Sequence, residues 1–333
     1  MYLPSLSLDE YQRVVSTVHP QLHAVLDFQR PGAREALDVL AVTSSEFDSD
    51  DGGRGDSYRR AQQDALVRWT GISALLRLLV PDPSSQAPLV LDVLGGDGTL
   101  ARAVGGLESK PVVITGDLSG QMVDRALAQG LPAVRQAAHF LFLRDASMDG
   151  VLLAYGTHHI APAQRPAAVA EAVRVTRPGG RIVLHDFDES SPMAGFFAEV
   201  VHPHAAGGHA YSHFTRAELA GLFRDAGLPV RVMDLYDPLI VRASTADEAK
   251  ARMCRYIGDM YGVSRHLARQ DDPWRVLERY FDHSALGATR PVVYPEGGLF
   301  VAEVPRTAIV AVAQRGPVSR TSPFVDSTNT CQL

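Results

Sequence analysis

The sequence predicts an α/β fold, a largely parallel sheet flanked by helices, on three observations. Leu89-Val90-Leu91-Asp92-Val93 is an apolar run of strand length that leads into the loop Gly95-Gly96-Asp97-Gly98, and helix-forming Leu100 to Val104 follow at once. Pro111 to Gly116 and Asp149 to Ala154 are runs of the same kind, separated by helix-length segments, the spacing of parallel strands joined by crossovers. The chain is 333 residues long, so such a sheet leaves helix-patterned sequence on both sides of it.

At the N-terminus, Ser7-Leu8-Asp9-Glu10 has capping-box spacing, and Tyr11, Val14, Val15 and Val18 then share a helical face. His19-Pro20 interrupts that helix, and Phe28 to Gly32 punctuate again before a helix over 33–42. The polar run Thr43 to Ser57 reads as a loop or mobile segment. Leu66, Trp69, Ile72, Leu75, Leu76 and Leu79 recur at helical spacing between Tyr58 and Val80, and Pro81-Asp82-Pro83 ends the run; Trp69 reads as core. Residues 1–85 are therefore expected to form an N-terminal helical cap, and 86–243 the cofactor-binding core. Within the core, Thr215-Arg216-Ala217-Glu218 opens a helix that stops at Gly227, and Val230 to Leu235 is the sixth strand.

Thr307 to Ala313 reads as the last strand, paired with Leu299 to Val304 or with Val230 to Leu235, so 299–315 is read as the final strands of the core. Residues 244–298 are read as a helical insertion or lid, with Met253, Tyr256, Ile257 and Met260 on one helix face and Trp274, Leu277, Tyr280 and Phe281 on another. The tail 316–333 is unpatterned and expected to be disordered.

A net charge of −6 argues against a nucleic-acid surface, which leaves a basic footprint. The two cysteines, Cys254 and Cys331, give no disulfide framework, and neither a signal segment nor an apolar run of membrane-spanning length is seen. A cytoplasmic protein with a small-molecule substrate is expected; a homodimer is left open.

The glycine loop allows two ligands. Gly96-Asp97-Gly98-Thr99-Leu100-Ala101 satisfies the dinucleotide fingerprint, with Asp117 about 20 residues on. Against this, Asp92 puts a negative charge where a pyrophosphate would lie, and suits a cofactor with a cationic end. Asp117 closes a second strand, where its two oxygens can accept from both hydroxyls of a ribose. Adenosine with a cationic amino-acid arm fits both positions.

In that order the motifs resemble those of the class I, Rossmann-like S-adenosylmethionine-dependent methyltransferases of small-molecule type. The resemblance rests on Asp92 with Gly96 and Gly98, on Thr115-Gly116-Asp117-Leu118-Ser119, on Asp149 to Tyr155 followed by Gly156-Thr157-His158-His159, and on Arg177-Pro178-Gly179-Gly180 leading into Arg181 to Asp186. It covers about residues 89–186. It implies a seven-stranded Rossmann-like methyltransferase sheet, S-adenosyl-L-methionine as cofactor, and cofactor contacts from Asp92, Gly95, Gly96, Gly98, Asp117, Leu118, Met122, Ala138, His139 and Tyr155. Two departures stand out: Leu94 occupies a family glycine position, and Ala137 sits where an acid often faces the adenine.

For methyl transfer, alignment of the reactants does most of the work, and a base is required only when the nucleophile must lose a proton. His158 and His159 follow the fourth strand and are the first candidates, with His185 and Asp186 at the end of the fifth, only one of which should face the pocket. His202, His204, His209 and His213 crowd one connection; of these His209 and His213 are further catalytic candidates, and no metal is assigned. The function expected is methylation of carbon, nitrogen or oxygen on an apolar or aromatic acceptor, in specialised metabolism. The alternatives are a cofactor-retaining enzyme that does not methylate (a cyclase or decarboxylase), a binding or regulatory protein, and an NAD-dependent oxidoreductase.

Overall fold

A computed structural model describes residues 1–49, 53–80, 87–107, 110–205, 208, 211–281 and 290–316. Pro81-Asp82-Pro83, His209 and all but the first residue of the tail 316–333 lie outside the described residues. Helix α1 (Leu8–Val18) begins on a complete capping box, in which Ser7 Oγ accepts from the Glu10 N–H and the Glu10 carboxylate accepts from the Ser7 N–H; such a cap stabilises a helix by about 0.5–2 kcal/mol. Helix α2 (Pro20–Val25) starts on the proline that interrupts α1, and α3 (Ala33–Val42) occupies the expected span.

Residues 43–49 are tied down rather than loose: Asp48 accepts from Ser119 Oγ at 2.5 Å and from the Gln121 N–H at 3.2 Å. Helix α4 (Arg54–Gln62) begins inside the stretch expected to be a loop. The single helix expected over 58–80 is broken, because Gln63 and Asp64 interrupt the apolar face and Asp64 takes a non-helical backbone; a 3₁₀ turn, Ala65–Arg68, precedes α5 (Trp69–Leu79).

The core then alternates. Strand β1 (Leu89–Asp92) leads to α6 (Thr99–Val104), β2 (Val112–Asp117) to α7 (Gly120–Ala128), and β3 (Ala133–Arg135) to β4 (Met148–Leu153). Helix α8 (Arg165–Val175) precedes β5 (Thr176–Asp186), then α9 (Pro192–Phe196), α10 (His202–His204), α11 (Arg216–Asp225) and β6 (Val230–Tyr236). Beyond them come β7 (Leu239–Ala243), α12 (Ala246–Tyr261), α13 (Ser264–Leu267), α14 (Pro273–Tyr280), β8 (Val292–Glu296), β9 (Leu299–Val304) and β10 (Thr307–Gln314). The main sheet has the order β3-β2-β1-β4-β5-β10-β6. Its first five strands are parallel, and β10 runs antiparallel between β5 and β6. The order reverses at β1/β4, so the carboxyl ends of these strands open a crevice of the kind in which α/β sheets hold ligands.

One apolar cluster joins α1–α3, α7, α8 and α11 to one face of this sheet, through Tyr11, Leu22, Val123, Val169 and Leu219. Another joins α5 and α6 to the other face through Ile72, Leu75, Leu79 and Leu100. The helices of 1–85 therefore divide between the two faces, and Ser44, Ser45, Glu46, Phe47, Arg54 and Tyr58 reach over the crevice.

Leu299–Val304 was expected among the final strands of the core, and this is corrected. It is the middle strand of a second, antiparallel sheet, β7-β9-β8, which also takes in Leu239–Ala243; the insertion is thus not helical alone. Of the two pairings open to Thr307–Ala313, the one with the sixth strand is made. The reason is local: Pro305-Arg306 carries the chain from one sheet to the other beside Asp237-Pro238, where Arg306 Nη2 meets Asp237 Oδ2 at 2.6 Å and the Asp237 N–H donates to the Arg306 carbonyl. Both side chains are buried, and removing one partner of such a pair costs about 3–5 kcal/mol.

Candidate functional site

The loop after β1 sets the site. Gly96 has φ +57 and Gly98 φ +88, left-handed values that side-chain-bearing residues rarely adopt; a Cβ on Gly98 would also lie 2.4 Å from Leu131 Cδ1. The turn aims the Gly96 N–H at Asp117 Oδ2 (2.9 Å), while Asp117 Oδ1 accepts from the Ser119 N–H (2.8 Å). Each carboxylate oxygen keeps a lone pair for a further donor.

A cavity of about 270 Å³ lies over the crevice. Its lining includes Gly96, Asp117, Leu118, Met122, Ala138 and His139, together with Tyr155, His158 and His159, and with Phe197, Tyr211, Met260 and Tyr261. Asp92 and Gly95 border a narrow adjoining cleft that shares Tyr58, Leu94 and Tyr155 with the main cavity. Gly98 acts behind the wall, as the N-cap of α6. His213 lies beneath His158, their ring centroids 4.5 Å apart. His204 stacks on His266 instead, at 4.0 Å, so His204 and His213, among the described residues of that connection, go to different neighbours.

Burial, reinforced by the charge of Asp117, pushes the Asp92 carboxyl up to about 7; burial pushes Asp117 up to about 6 despite its two backbone hydrogen bonds. Each pKa is raised above the ordinary 3.8, so the folded protein holds more protons than the unfolded chain between about pH 4 and pH 7. Folding stability contributed by these groups is therefore present below the unfolded pKa and lost as pH rises through the folded values. Asp92→Asn should accordingly gain thermal stability relative to the parent as pH is raised from about 5 to about 8, in melting curves recorded without ligand. A pH-independent difference between the two would rule this out.

From behind the cavity wall, Asp186 organises two histidines, His158 and His213. Its oxygens accept from Thr157 Oγ1, from the His158 and Phe187 N–H groups (both 2.7 Å), and sit 3.0 Å from His158 Nδ1 and 3.1 Å from His213 Nδ1. Burial works against its charge, yet the two histidines outweigh it and hold Asp186 well below the usual carboxylate range. Burial also lowers His158, to about 4, with Asp186 opposing. Ligand atoms of His158, Asp186 and His213 lie within 4.8 Å of one another, a spacing that fits a cation. The lone pairs of Asp186 are already engaged, however, and the cluster is hydrogen-bonded as it stands. His185 and Asp186 both border a smaller cavity, against the expectation that only one would face a pocket, because the chain leaves the sheet at Asp186.

Several residues at the site carry no sequence signal. Glu46 lies 3.1 Å from His159 Nδ1 and accepts from the Tyr211 hydroxyl; burial works to raise it, and His159 and Arg54 outweigh that and lower it. Gln136 lines the cavity beside Ala137, with Nε2 lacking a partner among the described residues. Arg68, from the 3₁₀ turn, borders the Asp92 cleft. Tyr155, which was expected among the cofactor contacts, holds φ +58, a strained backbone for a bulky residue and one that often marks a working site.

Residues 91–184 match the methyltransferase domain family. The chain is 29% identical over 162 residues to the ubiquinone/menaquinone biosynthesis C-methyltransferase of Brucella anthropi, covering 46% of this chain and 57% of that protein. It is 32% identical over 262 residues to a 37.1 kDa protein of transposon Tn4556 in Streptomyces fradiae, covering 75% and 66%. In neither case does the match reach two thirds of the relative's length. Among solved structures, phosphoethanolamine N-methyltransferase 2 of Haemonchus contortus with S-adenosyl-L-methionine is similar at 14% identity and a TM-score of 0.45, over 75% of this chain and 53% of that one. The order of the seven strands, with its one antiparallel strand next to last, agrees with the match over β1 to β5. The chain therefore contains a methyltransferase domain of the class I, S-adenosylmethionine-dependent family.

Proposed function

We propose that this protein transfers the methyl group of S-adenosyl-L-methionine to a small apolar or aromatic acceptor. The observation that carries the reading is that one cavity is lined both by Asp117 and Gly96 of the glycine-loop region and by His158, Phe197, Tyr211, Met260 and Tyr261. Bound S-adenosylmethionine supplies an electrophilic methyl group. In this reading Asp117 accepts from the ribose hydroxyls, Met122 flanks the adenine, and Ala138, His139 and Gln136 meet its edge. Asp92 faces the ammonium of the amino-acid arm. His158 receives a proton from the acceptor where one must leave, and Glu46 and Tyr211 hold His159 against the acceptor's far side. The relatives named as quinone-biosynthesis C-methyltransferases support an aromatic acceptor methylated at carbon.

The test is parallel calorimetric titration with S-adenosylmethionine, S-adenosylhomocysteine and NAD. Both adenosyl ligands should bind and NAD should not; binding of NAD alone would overturn the reading. Asp117→Ala should weaken S-adenosylhomocysteine binding by about 1–3 kcal/mol through loss of buried ribose contacts. An unchanged affinity would remove Asp117 from the site.

A further inference from the structure

Asp186 carries more donors than one histidine needs. Its Oδ2 accepts from the His158 N–H (2.7 Å) and the Thr157 hydroxyl, its Oδ1 accepts from the Phe187 N–H (2.7 Å), and His158 Nδ1 reaches both oxygens, Oδ2 at 3.0 Å and Oδ1 at 3.1 Å. His213 Nδ1, 3.1 Å from Oδ1, is a further group directed at a carboxylate that has only about four lone-pair sites.

His213 is held as a fixed donor. It is 6% exposed, lines neither cavity, and packs between His158 and Phe197, with ring centroids 4.5 and 4.2 Å away. The chain on both sides of it is pinned. Arg165, buried and paired with Glu218 at 2.7 Å, donates to the Ser212 and His213 carbonyls, and the Phe214 carbonyl accepts from the Glu189 N–H. With Nδ1–H given to Asp186, Nε2 of His213 has no partner among the described residues. A proton on that nitrogen would therefore lack an acceptor, which keeps the ring neutral.

A buried carboxylate bonded to a single imidazole draws that ring toward its charged form. Divided between two imidazoles, with backbone and hydroxyl donors on its other lone pairs, it lends less of its charge to either. We propose that His213 is a positioning residue for methyl transfer: by taking up one oxygen of Asp186, it lets the carboxylate fix the tautomer of His158 without drawing a second proton onto that ring. The proposal rests on the methyl-transfer reading and adds to it the device that keeps the base unprotonated. Burial does most to lower His158; Asp186 opposes it, and His159 and His213 add to the lowering. The other ionisable groups near His158 are His159 and Tyr211, with ring centroids 4.5 and 6.3 Å away, and Glu46 behind His159. Around the smaller cavity that His158 also lines are Tyr155, His185, Arg68, Tyr261 and Arg306, with Asp237 on Arg306. All of these are retained in the variants that test the proposal.

The test uses protein carrying isotope-labelled histidine, in which ring-nitrogen NMR reports the tautomer and charge of each imidazole. The His158 and His213 signals are those lost in His158→Gln and His213→Asn. In the parent, both rings should be neutral with the proton on Nδ1 from about pH 8 to about pH 5. His213→Leu and His213→Asn have nearly the same shape, and only asparagine puts an N–H where Nδ1 stood. His213→Leu should raise the titration midpoint of His158 by about one to two pH units, the size of one hydrogen bond to a charged group, whereas His213→Asn should leave it within about half a unit. Where an acceptor is turned over, the acid limb of the rate should move with the midpoint in His213→Leu and stay in place in His213→Asn. Loss of packing alone would act on both variants alike. An unchanged midpoint in His213→Leu, equal shifts in both variants, or a parent in which either ring is charged at neutral pH or carries its proton on Nε2 overturns the proposal. If His213→Leu does not fold, His213→Phe takes its place, and the parent tautomers still test the geometry. The rings titrate whether or not the protein methylates. Failure to bind S-adenosylhomocysteine, which overturns the methyl-transfer reading itself, is seen separately in the first titration.

Discussion

Replacing His158 with alanine should lower methyl transfer by about 10²–10⁴-fold, the usual contribution of a positioned base, while leaving S-adenosylhomocysteine affinity within about twofold. The expectation comes from Asp186. With a carboxylate 3.0 Å from Nδ1, the ring keeps its proton on that nitrogen and its basic lone pair on Nε2, the tautomer a proton acceptor requires. Burial lowers His158 to about 4, so the imidazole is neutral and ready to accept above that value. Turnover should therefore not fall near pH 6.5, where an ordinary histidine titrates; as far as this group controls it, the rate holds from about pH 8 to about pH 5 and drops as pH falls through about 4. Asp186→Asn should lose a comparable factor, because an amide no longer fixes the tautomer. The measurement is initial rates of labelled methyl transfer, across pH, to whichever acceptor the purified protein turns over. A loss confined to His159→Ala would move the base to the neighbouring ring. Full rates in both variants would mean that the acceptor sheds its proton without help from either histidine.

What the sequence made legible follows from the range of the interactions concerned. The inner parallel strands are buried on both faces, so Leu89–Asp92, Val112–Asp117, Met148–Leu153 and the end of β5 read as apolar runs closed by glycine or acid. The caps at Ser7 and Thr215 are local patterns, and each side chain makes the expected bond. Two carboxylates of the site, Asp92 and Asp117, were legible for the same reason, since they sit beside the glycine loop. The second sheet was not legible, because β7 and β9 pair across the whole insertion and nothing within Leu299–Val304 says which neighbour it will take. Nor were Arg68, Arg306, Asp237 and Glu46. A lone charge at a turn or strand end looks solvated until the fold buries it, and each of these acts on a partner far away in the chain. Asp186 was visible as a residue able to orient a histidine. That it bridges two, His158 and His213, on opposite sides of it in the sequence, could come only from the fold.

Replacing Arg68 with methionine should weaken S-adenosylhomocysteine binding by about 10–100-fold, the range of one buried charge-assisted hydrogen bond, and leave methylthioadenosine binding unchanged. The narrow cleft that adjoins the main cavity has Asp92 and Arg68 among its lining residues, with Leu94 and Gly95 of the glycine loop. A carboxylate and a guanidinium in one cleft complement the ammonium and carboxylate of an amino-acid arm, and methylthioadenosine has the same nucleoside without that arm. Arg68 is 3% exposed and already spends Nη2 on Gln62, while its Nε lacks a partner among the described residues. The Arg68 side chain also crosses 4.6 Å above the Tyr155 ring and borders the smaller cavity, so methionine was chosen to keep most of the apolar stem in place. An arm-specific loss places the arm in this cleft and explains how a loop with Leu94 in a glycine position still holds the cofactor. Equal loss of both ligands would mean that Arg68 supports the fold of the pocket rather than the arm. No loss of either would mean that the carboxylate of the arm is held elsewhere.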